Sequence, residues 1–561
     1  MGKNRRVVPR APKVILILLT AAFGLCGLAF AVGTPLFRNF DEQTHVDRAR
    51  YTARHPFEIP GSELRRTFGA WAALDAVGLP DGTIDDAWPD VPNVRPDYLP
   101  FDAYPGGDAP QRSGCPGPCQ NYQYGHPPAW YLMMAPVTAV LEGRPFPETV
   151  LWLRALDVAL VLPVVPLTWY TARQVWPGAT RRPLAAAGLV ALFGPLAFTA
   201  AGVNNDALVL VLGAAVIAVM ARVLRVGARP RPAILLGTLV AAGLLTKVQF
   251  VPVAPLAGLA VLVAPTAGHH PGRARTWAAL GFGLPALIGA LWWVRNLLSD
   301  GVLSPRESEI LAPARAGPWQ DATFGGYVLD QLPLFGGRFW GLYGFPLVSA
   351  PEPWRIVLST AVIAVVAAWL ACRRWRRPTA SGLRLLALAA VPLALFGAVA
   401  WASFDVHRTN GEVRGLAPRY VYLALPVLAV ALVGALRTVA ARLRVAPAGA
   451  KAPSRLLALG LVAVAAVGSV GSFAVAMRGR YQTSSLSEAL ERAGVVSPVA
   501  DPGPVLGAIS AAWLAAVLVV VGLSWGSLPA EDHRGAGPSG PMLAERPAEP
   551  SSSGRPRRTV S

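Results

Sequence analysis

The chain has 561 residues, of which 53% are hydrophobic and only 15% are charged, and its mean hydropathy is +0.43. This composition excludes an ordinary soluble protein and is typical of a polytopic membrane protein, since many segments are long and apolar enough to span a bilayer. The net charge of +19 does not indicate nucleic-acid binding, because most arginines fall in short loops between apolar segments, where they set topology.

The chain begins with a basic segment, residues 1–13, followed by the first apolar run, residues 14–33. A cleaved signal peptide is the alternative to a membrane anchor, because Ala29-Phe30-Ala31 resembles a cleavage site. The run is long for a signal peptide and further spans follow, which favours an uncleaved anchor with its N-terminus in the cytoplasm. Residues 34–148 are then predicted to lie outside.

An acidic motif, Asp41-Glu42, follows the first span, with His45 and Arg48 shortly after it. If the motif is helical, Asp41, His45 and Arg48 share one face, because positions i, i+4 and i+7 do. Asn39 followed by Glu42 also fits a helix N-cap with its reciprocal carboxylate, so Glu42 is either a cap or a reactive group. Asp41 and His45 are not needed for a cap and are candidate reactive groups.

The outer segment also contains two cysteines, Cys115 and Cys119, separated by Pro-Gly-Pro. In an oxidising compartment this pair predicts a small disulfide loop. A zinc site would need more Cys or His ligands at suitable spacing. Residues 129–142 are apolar but short and flanked by proline, which indicates an interfacial or re-entrant helix.

Eleven further apolar segments bring the predicted total to about twelve spans within residues 14–526. They are residues 149–170, 182–201, 204–224, 233–247, 249–265, 276–297, 355–372, 383–402, 419–440, 455–476 and 505–525. Basic clusters fall in the loops on the side of the N-terminus, as expected for cytoplasmic loops. Residues 298–354 form a second outer segment, and residues 527–561, rich in Pro, Ser, Gly and Arg, are predicted to be a disordered cytoplasmic tail.

Isolated polar side chains fall at the outer ends of these spans. The candidates are His126, Asn205, Asp206, Lys247, Arg295 and Arg419. Lys247 interrupts an apolar stretch in a chain that otherwise nearly always uses arginine, and a compact ammonium at the interface pairs well with a lipid phosphate. A snorkelling lysine is the alternative, and Trp and Arg are ordinary interfacial anchors. Three cations facing an outer acidic motif favour a phosphate site.

These motifs, in this order, resemble those of polytopic GT-C-type glycosyltransferases, the superfamily of protein mannosyltransferases and aminoarabinose transferases, and its predicted bacterial membrane-protein branch. They are Phe40-Asp41-Glu42 with His45, His126-Pro127-Pro128, Val203-Asn204-Asn205-Asp206, Leu245-Thr246-Lys247, Trp293-Val294-Arg295-Asn296 and Arg419-Tyr420. The resemblance covers roughly residues 14–440. The branch usually has proline after the acidic pair, where this chain has Gln43.

The resemblance implies an all-α, GT-C-type fold in a bacterial plasma membrane. It also implies transfer of a sugar from a polyprenyl-phosphate donor to an extracytoplasmic acceptor, which is an envelope glycan, a lipid or a protein. Asp41, Glu42 and His45 would be catalytic, with a carboxylate base serving an inverting displacement. Cations would bind the donor phosphate and stabilise its developing charge. These are Lys247, Arg295 and Arg419, with His126, Asn205 and Asp206 as further site residues.

The residues leave cofactor and function partly open. No Gly-rich nucleotide-binding loop occurs, in keeping with a lipid-linked donor. The sequence predicts no metal cluster, although Asp41 and Glu42 together could hold a divalent ion. Two other functions remain possible, namely a transporter or flippase of a lipid-linked glycan and a non-catalytic protein of envelope assembly.

The predicted topology is testable by labelling in intact cells. Single cysteines placed at Ser308 and Asp405, in predicted outer positions, should react with a membrane-impermeant thiol reagent. Cysteines near Arg376 and Arg442 should stay unlabelled, because basic loops face the cytoplasm. The reverse pattern would contradict an extracytoplasmic location for Asp41, Lys247 and Arg419.

Overall fold

The chain folds into helices joined mostly by short connections, as expected where backbone amides must find hydrogen-bond partners within their own segment. The structure is a computed structural model. It describes residues 10–79, 92–110, 119–266, 271–303, 316–344, 348–372, 379–411, 416–442 and 453–526. The predicted tail, 527–561, lies outside the described residues, as do the basic residues 1–9.

The N-terminal half carries eleven described α-helices. They are α1 (Arg10–Gly33), α2 (Glu42–Arg54), α3 (Phe68–Ala76), α4 (Ala129–Val140), α5 (Phe146–Val161), α6 (Val164–Val175), α7 (Arg181–Ala191), α8 (Gly194–Ala200), α9 (Asp206–Val226), α10 (Pro230–Leu244) and α11 (Phe250–Val263). Two 3₁₀ turns, Phe101–Ala103 and Tyr122–Gly125, lie in the outer segment between α3 and α4.

The C-terminal half continues with longer helices. They are α12 (Pro271–Asp300), α13 (Phe324–Phe339), α14 (Glu352–Cys372), α15 (Ala380–Asn410), α16 (Leu425–Arg442), α17 (Pro453–Arg480), α18 (Leu486–Val496) and α19 (Pro502–Gly526). Two 3₁₀ helices, Pro318–Asp321 and Pro418–Ala424, precede α13 and α16. Strands β1 (Leu342–Tyr343) and β2 (Val348–Ser349) pair antiparallel, with Leu342 opposite Ser349 and Tyr343 opposite Val348.

The predicted all-α, polytopic architecture is confirmed. Within the described residues, eight helices are long and apolar enough to cross a membrane, and a ninth span results if α7 and α8, bent by 58°, count as one. The predicted segments 233–247 and 249–265 correspond to α10 and α11, which have 15 and 14 residues. A helix of that length extends only about 22 Å, so neither crosses a bilayer alone. The polar break between them contains Lys247.

Two buried apolar regions carry the fold. The larger lies among α1, α5 to α9 and α16, where Phe30 and Phe198 meet edge to face with ring centroids 5.5 Å apart. The second lies beneath the outer segment and joins the end of α1 to α4 and α5. The Tyr98 hydroxyl donates to the Val495 carbonyl oxygen at 2.9 Å. The last helices, beyond the region of family resemblance, therefore hold the outer segment in place.

A buried ion pair fixes the turn between α1 and α2. Arg154 and Glu42 have fully buried side chains and pair at 2.8 Å (Nε to Oε1) and 2.6 Å (Nη2 to Oε2). Arg154 also donates to the carbonyl oxygens of Ala31, Thr34 and Pro35 at 2.7 to 2.9 Å. These are the carbonyls at and beyond the end of α1, which have no helical partner of their own.

The predicted N-cap formed by Asn39 and Glu42 is therefore wrong. Helix α2 begins at Glu42 itself, and Asp41 occupies the N-cap position. The Asn39 side chain accepts from the Phe40 amide at 2.8 Å, and the Glu42 carboxylate turns to Arg154. A fully buried carboxylate gains more from a buried guanidinium than from a helix amide, because burial penalises an unpaired charge heavily.

We expect Arg154→Met to destabilise the fold by about 3–5 kcal/mol, because it leaves Glu42 as an uncompensated buried charge. Arg492→Met is the matched control. Arg492 and Glu488 pair at 2.6 Å with 44% of each side chain exposed, and an exposed pair is worth about 1 kcal/mol or less. Equilibrium unfolding of the full-length protein in mild detergent measures both. Similar losses in the two variants would contradict this account.

Candidate active site

Four charged side chains from four elements meet in one row. They come from the start of α2, the start of α9, the break between α10 and α11, and the 3₁₀ helix before α16. Lys247 Nζ lies 2.6 Å from Asp206 Oδ1, and Arg419 Nε lies 3.9 Å from Asp206 Oδ2. Arg419 Nη2 lies 3.1 Å from Asp41 Oδ2. Carboxylates and cations therefore alternate along this row, which we call the charged row (Asp41, Arg419, Asp206 and Lys247).

Aromatic rings flank both cations of the charged row. The Arg419 guanidinium carbon lies 4.1 Å from the ring centroid of Phe40 and 5.0 Å from that of Tyr420. Lys247 Nζ lies 5.4 Å from the Tyr420 ring centroid. Tyr420 therefore contacts both cations, and its hydroxyl accepts from Arg419 Nη2 at 3.1 Å. Rings at these distances stabilise a desolvated cation through the negative charge on their faces.

Asp41 is held in an uncommon conformation. Its backbone is left-handed, with φ 55° and ψ 16°, a region that aspartate tolerates better than most residues. The Tyr122 hydroxyl donates to Oδ1 at 3.1 Å, and Arg419 binds Oδ2. Its side chain is 17% exposed, compared with 5% for Asp206 and none for Glu42. Asp41 is thus the most accessible of these three carboxylates.

Two histidines, His45 and His126, lie beside the charged row. Their ring centroids lie 5.9 Å apart. His45 Nδ1 and the Tyr131 hydroxyl are hydrogen-bonded at 2.8 Å. Asn205 Nδ2 donates to His126 Nδ1 at 2.8 Å and to the Thr246 carbonyl oxygen at 3.4 Å. Because His126 Nδ1 accepts this bond, the proton of its neutral ring lies on Nε2.

Both histidines are neutral at physiological pH. Burial, and then the Lys247 charge, lower the pKa of His126 to about 3. Burial likewise places the pKa of His45 well below its ordinary value, with further lowering by His126, Lys247 and Arg419. Protonating either ring would add a positive charge next to existing cations. The histidines therefore act here as hydrogen-bonding groups without charge.

The structure brings together most of the residues that the sequence singled out. Seven of them share direct contacts or contacts through one neighbour: Asp41, His45, His126, Asn205, Asp206, Lys247 and Arg419. Glu42 lies behind them in the ion pair with Arg154. Arg295 is exposed at the end of α12, where it bonds Asn296 Oδ1 at 3.1 Å and lies over the Trp292 ring. This is the arrangement of an interfacial anchor.

The candidate metal and disulfide residues also have defined places. The Asp41 carboxylate contacts Tyr122 and Arg419, whereas the Glu42 carboxylate contacts Arg154. The two carboxylates therefore do not form a joint pair of metal ligands. No group of three His, Cys, Asp or Glu side chains placed to hold a metal ion occurs in the described part of the chain. Cys119 is disulfide-bonded, and Cys115 lies outside the described residues, so that pairing stays a prediction.

Two functional supports were missed because they lie inside an apolar span. Asp157 on α5 accepts from Trp130 Nε1 at 2.9 Å and from the Asn204 amide at 3.2 Å. Arg154 lies one turn earlier on the same helix. Ionisable residues within a span are rare and are usually paired, so the spacing of Arg154 and Asp157 was the signal that could have revealed them.

No protein-family model and no curated protein matches the chain. Two solved structures align with it. ArnT from Cupriavidus metallidurans, in the apo state, aligns over 91% of this chain and 76% of its own, with 14% identity and a TM-score of 0.42. The Archaeoglobus fulgidus oligosaccharyltransferase, also apo, aligns over 83% of this chain and 56% of its own, with 12% identity and a TM-score of 0.43. This chain thus spans about half the length of the second protein. The chain is similar to these two proteins over most of its own length.

The buried histidines predict an acid-sensitive fold. Below its ordinary pKa of 6.5, a histidine in the unfolded chain binds a proton that folded His126 does not accept until the pH reaches about 3. Stability should therefore fall as the pH drops through this window, by about 1.4 kcal/mol per pH unit for each such histidine.

His126→Gln should flatten this dependence, since glutamine offers an oxygen to Asn205 but does not titrate. Unfolding of the wild type and the variant, compared between about pH 7 and about pH 4, measures the difference in slope. Parallel curves for the two proteins would show that His126 is not the group responsible.

Proposed function

We propose that the protein is a glycosyltransferase of the bacterial plasma membrane that moves a sugar from a polyprenyl-phosphate donor to an acceptor on the extracytoplasmic side. The observation that carries the proposal is the charged row, in which the partly exposed Asp41 binds the buried Arg419, and Asp206 links Arg419 to the buried Lys247. A lipid-linked donor needs cations for its phosphate, and an acceptor hydroxyl needs a base, within one site.

The donor phosphate would bind Lys247 and Arg419. Lys247 offers three N–H donors and Arg419 a planar fork that fits phosphate oxygens. Both cations are held by Asp206 and by the Tyr420 ring, so their positions are fixed before a donor arrives. As the bond between the sugar and the phosphate breaks, the negative charge that develops on the leaving oxygen would be stabilised by these two cations.

Asp41 would be the general base. The acceptor hydroxyl gives its proton to an Asp41 carboxylate oxygen while the acceptor oxygen forms a bond to the anomeric carbon. The bond from that carbon to the phosphate oxygen breaks in the same step, and the prenyl phosphate leaves with the electron pair. The configuration at the anomeric carbon is inverted, and a sugar–enzyme intermediate is not required.

The other polar residues would orient the substrates. Glu42 is enclosed by Arg154 and the backbone, so in this proposal its role is to fix the start of α2. His45 and His126 are neutral and buried. They would offer hydrogen bonds to sugar hydroxyls without adding a charge that competes with the phosphate for Lys247 and Arg419.

The proposal is tested with the purified full-length protein in lipid, incubated with a panel of polyprenyl-phosphate sugars. Release of prenyl phosphate that depends on an added acceptor is the expected result. Movement of intact donor across the bilayer without release would contradict the proposal and identify a flippase. A fluorescent donor with a headgroup accessible to a quencher distinguishes the two outcomes in one sample.

Asp41→Asn should lower turnover by roughly 100-fold or more, since the amide cannot accept the acceptor proton. Its shape is nearly unchanged and the contact with Tyr122 can persist, so expression and donor binding should survive. Single-turnover release of prenyl phosphate measures the effect. Full activity in this variant would remove Asp41 as the base.

Lys247→Met is the complementary control for that experiment. It removes the charge while keeping the length of the stem, and donor binding should weaken by about 1–3 kcal/mol through loss of a charge-assisted contact. Binding of polyprenyl phosphate alone measures it. If Asp41→Asn instead weakens donor binding and Lys247→Met does not, the two roles are assigned the wrong way round.

A further inference from the structure

Arg48 is a buried cation that the proposed reaction does not use. It lies on α2, seven residues after Asp41, and is 2% exposed. Within the described ranges of the chain, no carboxylate forms an ion pair with Arg48, and its Nε and Nη1 have no hydrogen-bond partner. Burial lowers the pKa of Arg48 to about 10. A guanidinium buried without a counterion is costly to the fold, so its burial points to a ligand that supplies the missing negative charge.

Arg48 lies next to the two histidines of the candidate active site, His45 and His126. Its guanidinium carbon lies 4.9 Å from the Tyr131 ring centroid, and the Tyr131 hydroxyl bonds His45 Nδ1. Its charge contributes to the lowered pKa values of both His45 and His126. The neighbouring carboxylate, Asp47, is engaged by the Thr67 hydroxyl and the Asn121 amide, so it does not neutralise Arg48.

The two cationic regions, Lys247 with Arg419 on one side and Arg48 on the other, would serve the donor and the acceptor of the proposed reaction. Arg419 binds Asp41 at the start of α2, and Lys247 is linked to Arg419 through Asp206. Arg48 lies about 10 Å further along α2, at 1.5 Å per residue. In an inverting displacement, the attacking oxygen enters opposite the leaving phosphate. An acceptor whose hydroxyl reaches Asp41 therefore extends away from Lys247 and Arg419, past His45, towards Arg48.

We propose that Arg48 binds an anionic group, a carboxylate or a phosphate, carried by the acceptor. The site thereby selects acidic acceptors, because a neutral acceptor leaves the guanidinium buried and unpaired. The identification of the ligand as the acceptor rests on the proposed function. The presence of an anion site at Arg48 rests on the geometry of Arg48 alone.

The test uses the full-length protein in lipid nanodiscs and two soluble probes, methyl glucuronide and methyl glucoside, which differ in one carboxylate. Saturation-transfer NMR measures their affinities. The wild type should bind the glucuronide roughly tenfold more tightly, the scale of one charge-assisted contact. Arg48→Met should bind both probes equally, and Arg48→Lys should keep part of the preference. The matched control Arg492→Met, at an exposed pair with Glu488, should keep all of it.

The unfolding temperature is a second readout, and it would change in the opposite direction if Arg48 had a purely structural role. Arg48→Met should unfold at the same temperature as the wild type or higher, because it removes an uncompensated buried charge. A clear loss of stability would overturn the proposal, as would equal binding of the two probes by the wild type. A preference that survives Arg48→Met but disappears in Lys247→Met would also overturn it, by placing the anion at the donor site.

Neither measurement requires sugar transfer. A protein that fails the prenyl-phosphate release assay but shows the Arg48-dependent preference would refute the proposed function and keep the anion site. A protein that releases prenyl phosphate without that preference would support the proposed function and refute the anion site at Arg48.

Discussion

The candidate site depends on one buried ion pair, that of Arg154 with Glu42. The Arg154 guanidinium donates hydrogen bonds to the carbonyl oxygens at the end of α1, and the Glu42 carboxylate neutralises the charge of Arg154. This contact decides where α2 begins and in which direction Glu42 points. The residue just before it, Asp41, adopts a left-handed conformation, and its carboxylate meets Tyr122 and Arg419 instead. Two adjacent carboxylates thus acquire different environments, one enclosed and one accessible.

A single turn of α5 supports both acidic positions of the charged row. Arg154 holds Glu42, next to Asp41, while Asp157 accepts the amide of Asn204, two residues before Asp206. Glu42 also accepts the Val203 amide at 3.3 Å, which links the two supports. Because both supports lie on one turn of α5, which packs within the larger apolar core, the same helix positions Asp41 and Asp206. Reactive groups gain from such support, since small displacements are costly to catalysis.

The sequence predicts the helical architecture well, since long apolar runs and basic loops are local signals. It also singles out Asp41, Lys247 and Arg419, because each is a polar residue at the predicted outer end of a span. It fails for Glu42, whose partner Arg154 is 112 positions away. A capping pattern is read from four neighbouring residues, and a distant buried cation overrides it. For Arg295, the Trp-rich surroundings fit an anchor and a phosphate site equally well. In the structure its side chain is exposed and lies over the Trp292 ring, so its role in phosphate binding stays a prediction.

The pairing of Arg419 with Asp41 has a consequence for the order of events in the proposed reaction. Each cation of the charged row has a carboxylate partner, as expected for charges that are largely removed from water. A donor phosphate that binds Arg419 would compete with Asp41 Oδ2 for the same N–H groups and release that oxygen from its hydrogen bond. In the proposed reaction, Asp41 Oδ2 would then be open to the acceptor hydroxyl only once the donor is in place, which couples proton abstraction to the presence of the leaving group.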